Sequence, residues 1–290
     1  MAEFLQFLFS GITVGAIYAL VGLGFSIIYN ASQVINFAQG EFVMIGGLAT
    51  AVLAGGGMPL PLAAAVAISA SVLAGLALEK LAVERAREAP LLTLVIITIG
   101  ASIFLRGLAQ VVLGRNYHAL KAFSGEAPIH IGGATIVPQT LWVLGTTAAL
   151  VAALWWFFGR TQLGKAFLAT SYDPLAAQLV GIGTRSVLLL SFALSAALGA
   201  IGGILIAPIS LTSYDAGVML GLKGFSAAIL GGLGSSLGAV AGGLLLGLIE
   251  AMGAGYVSSA YKDAIAFVII LLVLFLMPQG LFGRRGAERV

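Results

Sequence analysis

The chain alternates between long, almost unbroken apolar runs and short polar breaks. Nine apolar segments can be drawn, over residues 4–28, 42–53, 60–81, 91–113, 141–158, 187–211, 218–233, 237–256 and 264–277. Continuous runs of this kind predict transmembrane helices, because a helix needs about 20 apolar residues to cross the hydrocarbon core. A β-barrel would alternate at every second residue, and these runs do not. The fold expected is all-α: one polytopic transmembrane bundle of about eight to ten spans, forming a single domain over residues 1–290. The second and seventh segments are short or interrupted by glycine, so a broken or re-entrant helix is expected at one of them.

Among the polar breaks, residues 160–186 stand out because they encode a short helix. Asp173 can accept hydrogen bonds from the free N–H groups of a first turn, Pro174 suits the first helical position, and Gly181 can take the left-handed conformation that ends it. Leu175, Ala176, Leu179 and Val180 then give a small apolar face. A helix of about two turns hung between spans has no core in which to bury that face. It needs a partner, expected to be a soluble protein on the cytoplasmic side.

Composition agrees with the pattern: 60% of residues are hydrophobic, 9% are charged, and the mean hydropathy is +1.10. The net charge of +3 carries topological information, not a nucleic-acid signal, because the basic residues lie in the breaks. They group as Lys80, Arg85 and Arg87; as Arg160, Lys165 and Arg185; and as Arg284, Arg285 and Arg289, whereas the longer break at 114–140 holds only Arg115 and Lys121. Positive-inside reasoning over nine alternating spans puts the N-terminus outside and the C-terminus in the cytoplasm. Residues 114–140 become an external loop and 160–186 a cytoplasmic one. Met1-Ala2-Glu3 offers neither a basic leader nor a small-residue cleavage site, so the first span is expected to stay in the mature protein. With no cysteine there is no disulfide framework. His118 and His130, twelve apart with no carboxylate at ligand spacing, read as surface residues, and no metal site is expected.

The polar run 30–41, NASQVINFAQGE, carries Asn36, Gln39 and Glu41 between two spans. It admits two readings. Polar groups at membrane depth persist where they face protein or water, which makes these three pathway candidates; an ordinary turn between helices would carry them equally well. Its counterpart in the second half is 215–225, DAGVMLGLKGF, where Lys223 lies inside an apolar segment as Glu250 does in the next, so the two are expected to pair. Arg106 is expected to snorkel to the interface. Glycines at four-residue spacing, such as Gly11/Gly15, Gly199/Gly203, Gly217/Gly221 and Gly243/Gly247, predict close helix packing. A shift of 184 residues lays Gly15–Ile17 on Gly199–Ile201, Gly40 on Gly224 and Gly47 on Gly231, the hint of an inverted repeat. The heptapeptide from Gly159 to Lys165 imitates a phosphate-binding loop, but Ala166 replaces the Ser or Thr that would hold magnesium, and no strand precedes it. With no catalytic motif elsewhere, the chain is not expected to be an enzyme.

Three stretches, GAIYALVGLGFSIIYNASQVINFAQGEFVMIGG (15–47), KGFSAAILGGLGSSLGAVAGGLLLGLIE (223–250) and YKDAIAFVIILLVLFLMPQGLFG (261–283), resemble the LivH-type permease subunit of bacterial branched-chain amino acid ABC transporters. In the central loop, Gly164, Asp173, Ala176, Gly181 and Ile182 stand where that family's ATPase-coupling segment is recognised. Phe167 and Leu168, where Arg is frequent, and Met277, where Arg precedes the proline, are departures that bear on polar contacts to the ATPase. The resemblance implies an ABC importer permease in the bacterial inner membrane. Its partners would be a second, related permease, two cytoplasmic ATPase subunits that bind the ATP, and an extracytoplasmic solute-binding protein. The substrate would be a branched-chain or other hydrophobic amino acid, and the chain itself would need no cofactor. The competing readings are a permease for a sugar or nucleoside, a stand-alone secondary transporter or channel, and a purely structural membrane subunit.

Overall fold

A computed structural model describes residues 2–283 except 88, 126 and 132, so Arg284, Arg285 and Arg289 lie outside the described residues. All nine apolar segments are helical. They form α1 (Ala2–Ser32), α2 (Gln39–Gly55), α3 (Leu60–Leu78), α4 (Leu91–Val112), α5 (Pro138–Arg160), α8 (Thr184–Ile206), α9 (Ala216–Gly231), α10 (Ser236–Tyr256) and α11 (Lys262–Leu276). The central break folds into α6 (Gln162–Tyr172) and α7 (Pro174–Leu179), and the 114–140 break contains a hairpin of β1 (Ile129–Ile131) and β2 (Ala134–Ile136). Prolines open α3, α5 and α7, where the missing N–H is harmless. A π-helical turn, Glu79–Val83, and a 3-10 turn, Glu84–Ala86, prolong α3.

Among the described residues six helices are long and apolar enough to cross a bilayer: α1, α3 with its extension, α4, α5, α8 and α10. The two segments flagged by their sequence, α2 and α9, are shorter, at 17 and 16 residues. Both follow non-helical segments that turn into the protein. After Ser32 the chain folds back beside α4, where the Phe37 N–H reaches Thr98 Oγ1 at 3.3 Å. After Ile206 it runs back along α2, with Thr212 near Gly47, and also pairs with His118 of the 114–140 segment.

The breaks sort to two ends. The start of α1 is tied to the hairpin by Gln6, whose amide bonds the Thr135 main chain at 3.0 and 2.7 Å. At the other end the last turn of α1 shares clefts with Val83 and Arg87, with the α6–α7 junction, and with residues 233–237 and Phe282. The nine helices therefore alternate in direction, as the apolar pattern requires.

A pseudo-twofold relation between the halves is visible in boundaries and in packing. α1 ends at 32 and α8 at 206; α2 begins at 39 and α9 at 216; α3 begins at 60 and α10 at 236. The packing partners exchange accordingly: α1 lies on α9 and α10, α8 on α2 and α3, while α2 packs on α3 as α9 packs on α10. The starts of α2 and α9 differ by 177 residues and those of α3 and α10 by 176, while those of α1 and α8 differ by 182, so no single shift relates the halves. The shift of 184 suggested by sequence identity lies within two residues of the offset between α1 and α8, which carry the matched Gly15–Ile17 and Gly199–Ile201, and is larger than the offset between α2 and α9.

Glycine sets the helix spacing. Lipid is as apolar as leucine, so helices associate through close packing of their backbones. α2 and α9 cross where Gly40 meets Gly217 and Gly221, a Cβ on Gly40 falling 3.0 Å from the Gly221 Cα and into the Gly217 carbonyl. Gly203 lies against the Val43 carbonyl, and Gly15 and Gly247 lie against each other between α1 and α10. The bundle interior is built around α1 and α8, while α3, α4 and α5 expose most of their apolar surface, as lipid-facing helices do.

Candidate functional site

The central break is an elbow followed by a short exposed helix. Thr161 caps α6 by accepting from the Gly164 N–H at 2.9 Å. Gly164 itself is buried against the Phe157 carbonyl, so α6 can double back on α5 only with no side chain there. Phe167 anchors α6 in the core, 5.0 Å from the Phe158 ring and 2% exposed. Of the two positions that depart from the coupling-segment pattern, Leu168 is on the surface and Phe167 is inside.

Asp173 then starts α7: its Oδ1 accepts from the Leu175 and Ala176 N–H groups at 2.9 and 3.0 Å. Gly181 ends it with φ +84°, its N–H donating to the Gln178 carbonyl at 3.0 Å. Ala177 faces the protein, while Pro174, Leu175, Ala176, Leu179 and Val180 face away. Leu175, Leu179 and Val180 are 68%, 82% and 77% exposed, a contiguous apolar surface beside the end of α1.

The intramembrane candidates divide. Both amide atoms of Gln39 are bonded: its Nε2 donates to the Ser195 carbonyl at 3.1 Å, and its Oε1 accepts from Ser195 Oγ at 2.5 Å. Asn36 Oδ1 accepts from the Ala38 N–H at 3.1 Å, bracing the turn into α2, while its Nδ2 is buried without a hydrogen-bond partner. Glu41 is different. Its Oε1 accepts from Ser102 Oγ at 2.7 Å, but its Oε2 is buried without a hydrogen-bond partner. It lines a cavity of about 220 Å³ between α2, α4 and α9, together with Arg106. Arg106, one turn past Ser102 on α4, is among the residues that line this cavity.

Lys223 and Glu250 meet, as their sequence positions predict, with Lys223 Nζ donating to Glu250 Oε1 at 2.8 Å. The structure adds three members the sequence reading missed. Asp263 approaches the same ammonium at 2.6 Å, Lys262 stands 3.7 Å from Glu250, and the Tyr18 hydroxyl donates to Glu250 Oε2 at 2.8 Å, with Lys223 over its ring at 5.4 Å. The network ties α1, α9, α10 and the head of α11. It borders a second cavity, of about 370 Å³, lined by residues of α1, α2, α9 and the 206–216 return. A phenol inside an unbroken apolar run, and adjacent opposite charges at the head of the last span, were the available signals. His118 contributes its main chain to the bridge with Thr212, and His130 Nδ1 lies 3.3 Å from Thr135 Oγ1.

These features were compared with known proteins. The family described as branched-chain amino acid transport system / permease component matches residues 7–274. The high-affinity branched-chain amino acid transport system permease protein LivH of Escherichia coli K12 is 35% identical, over 99% of this chain and 98% of that protein. The corresponding BraD protein of Pseudomonas aeruginosa is 34% identical over the same shares. The fold is shared with a chain of PsaBC from Streptococcus pneumoniae in complex with Fab, at TM-score 0.54 and 14% identity, covering 96% of this chain and 93% of that one. A glycine-packed helical bundle whose family match spans nearly its whole length is thus a membrane transport component, and the chain belongs to the permease family of branched-chain amino acid transport systems.

Proposed function

We propose that this chain is the transmembrane permease subunit of an ATP-driven importer for branched-chain amino acids, with α7 as the element through which separate ATPases move it. The observation that carries the reading is α7: a helix capped rigidly at both ends that presents three large apolar side chains to solvent. Such a surface fits a groove on a soluble partner and has no use within the chain. The end that carries it also carries Lys80, Arg85, Arg87, Arg160, Lys165 and Arg185, so this end is the cytoplasmic one and the hairpin end faces outward. The assembly then consists of this permease, a second related one, two ATPases that bind ATP, and an extracytoplasmic binding protein that delivers substrate. Nucleotide-driven closure of the ATPases pushes α6 and α7 as a unit, and the two inverted halves rock about the α2–α9 crossing. Glu41, Lys223 and Glu250 are among the polar groups that line cavities inside the bundle.

Leu175→Asp together with Leu179→Asp tests the reading. Each side chain removed from a desolvated pocket weakens docking by about 2 kcal/mol, so ATPase affinity falls on the order of a hundredfold or more. Membrane insertion stays normal while uptake of radiolabelled leucine is lost. Unchanged uptake contradicts the docking role.

A further inference from the structure

We propose that the cavity between α2, α4 and α9 is a transit site for a zwitterionic amino acid, with Glu41 receiving the ammonium, Arg106 the carboxylate, and Phe25, Phe37 and Phe225 the apolar side chain. The proposal rests on the importer reading above and names a place on its pathway.

The first support is an unsatisfied charge acceptor. Glu41 is 1% exposed, and one oxygen is held by Ser102 while the other has no hydrogen-bond partner. A buried carboxylate in that state is costly unless something pairs with it during the working cycle. The second is the opposite charge on the same wall. Arg106 lines the cavity and acts on Glu41 electrostatically, yet no nitrogen of it comes within the 4.0 Å of an ion pair. Two charges that share a cavity and stay apart match the two ends of a zwitterion. The third is the remaining lining. The three phenylalanine rings form one cluster, with Phe225 5.5 Å from Phe25 and 5.4 Å from Phe37, on the side of the cavity formed by α1, α9 and the turn into α2. Gly40, Gly217 and Gly221 keep the space open, because side chains there would enter it or force α2 from α9.

Size and access agree. A volume of about 220 Å³ falls below that of sites for drug-sized ligands, about 300–1,000 Å³, and suits one small molecule. The mouth opens sideways between Ile99 and Ile103 of α4 and Val218 and Leu222 of α9, all exposed, at the level where α2 and α9 begin. The site is thus half of a chamber, completed by the second permease.

The test uses the complete transporter, with its ATPases and binding protein, in proteoliposomes, and reads the maximal rate of radiolabelled leucine uptake at saturating binding protein. Glu41→Gln keeps the shape and mimics a protonated carboxyl. It and Arg106→Gln are each expected to lower uptake at least about tenfold, the loss of one charged contact, with Glu41→Asp and Arg106→Lys recovering part of it. Val218→Trp, at the exposed mouth, plugs the cavity without touching the core and is expected to do the same. Uptake by Glu41→Gln within twofold of wild type overturns the proposal, since a proton alone would then satisfy the buried oxygen. If Glu41→Gln fails to assemble, Val218→Trp decides, and normal uptake by it overturns the proposal. A wild-type assembly that takes up leucine, isoleucine and valine not at all overturns the importer reading and the site with it; wild-type uptake with unaffected variants overturns the site alone.

Discussion

Removing Lys223 should harm this protein more than neutralising Glu250, and the asymmetry can be worked from the charges around them. Lys223 Nζ lies 2.8 Å from Glu250 and 2.6 Å from Asp263, so Lys223→Met strips the ammonium from two carboxylates at once. Glu250, with a side chain 9% exposed, is left with the Tyr18 hydroxyl and a lysine 3.7 Å away. Breaking a buried pair so that a charge is left uncompensated costs about 3–5 kcal/mol, and Lys223→Met should fall in that range. Glu250→Gln leaves Lys223 neutralised by Asp263, and the new amide oxygen can still accept from Tyr18. The Lys223 bond is lost, the Tyr18 bond becomes neutral and the 3.7 Å attraction to the half-exposed Lys262 goes, about 1.5–3 kcal/mol together. In the double variant the remaining charges are Asp263 and Lys262, both partly solvated, with side chains 37% and 49% exposed. The double variant should therefore be more stable than the sum of the singles by about 1–2 kcal/mol, within the range measured for coupled neighbours. Steric trapping of the unfolded chain in lipid bicelles gives the three unfolding free energies. A Glu250→Gln loss equal to or larger than that of Lys223→Met, or strict additivity in the double variant, would refute the reasoning.

Other consequences follow from the packing and from the caps. Gly40→Ala forces α2 from α9, because its Cβ would overlap the Gly217 carbonyl, and should cost about 1–3 kcal/mol; Gly100→Ala, with nothing within 4 Å, should leave the thermal midpoint of the purified protein within error or raise it slightly. Asp173→Ala removes the acceptor for two N–H groups and should destabilise α7 by about 0.5–2 kcal/mol, seen as faster amide hydrogen exchange at residues 175–177 with no change in α8.

The fold was legible in the sequence wherever one physical rule acted alone. Continuous apolar runs located all nine helices, and the Asp-Pro start and Gly181 end located α7, because capping chemistry is local. Lys223 and Glu250 could be paired on sequence because two opposite charges in apolar helices have few other partners. What stayed hidden depended on where chain segments return in space. The repeat has no single register to find, because the offset changes from 182 between α1 and α8 to 177 between α2 and α9. Gln39 and Glu41, two residues apart, have different fates: one bonds Ser195 through both amide atoms and the other keeps a bare oxygen beside a cavity. Only the position of α8 and α4 beside the start of α2 separates them. That Arg106 and Glu41 line one cavity could not be read from the sequence, because they lie on different helices.

The central claim is that this chain is a conduit moved by separate motors through α7. Reconstitution of the purified chain in liposomes, alone and then with its ATPases, second permease and binding protein, tests it most directly. Leucine accumulation should be absent for the chain alone and appear, dependent on ATP, only with the full set. Transport by the isolated chain would contradict the account.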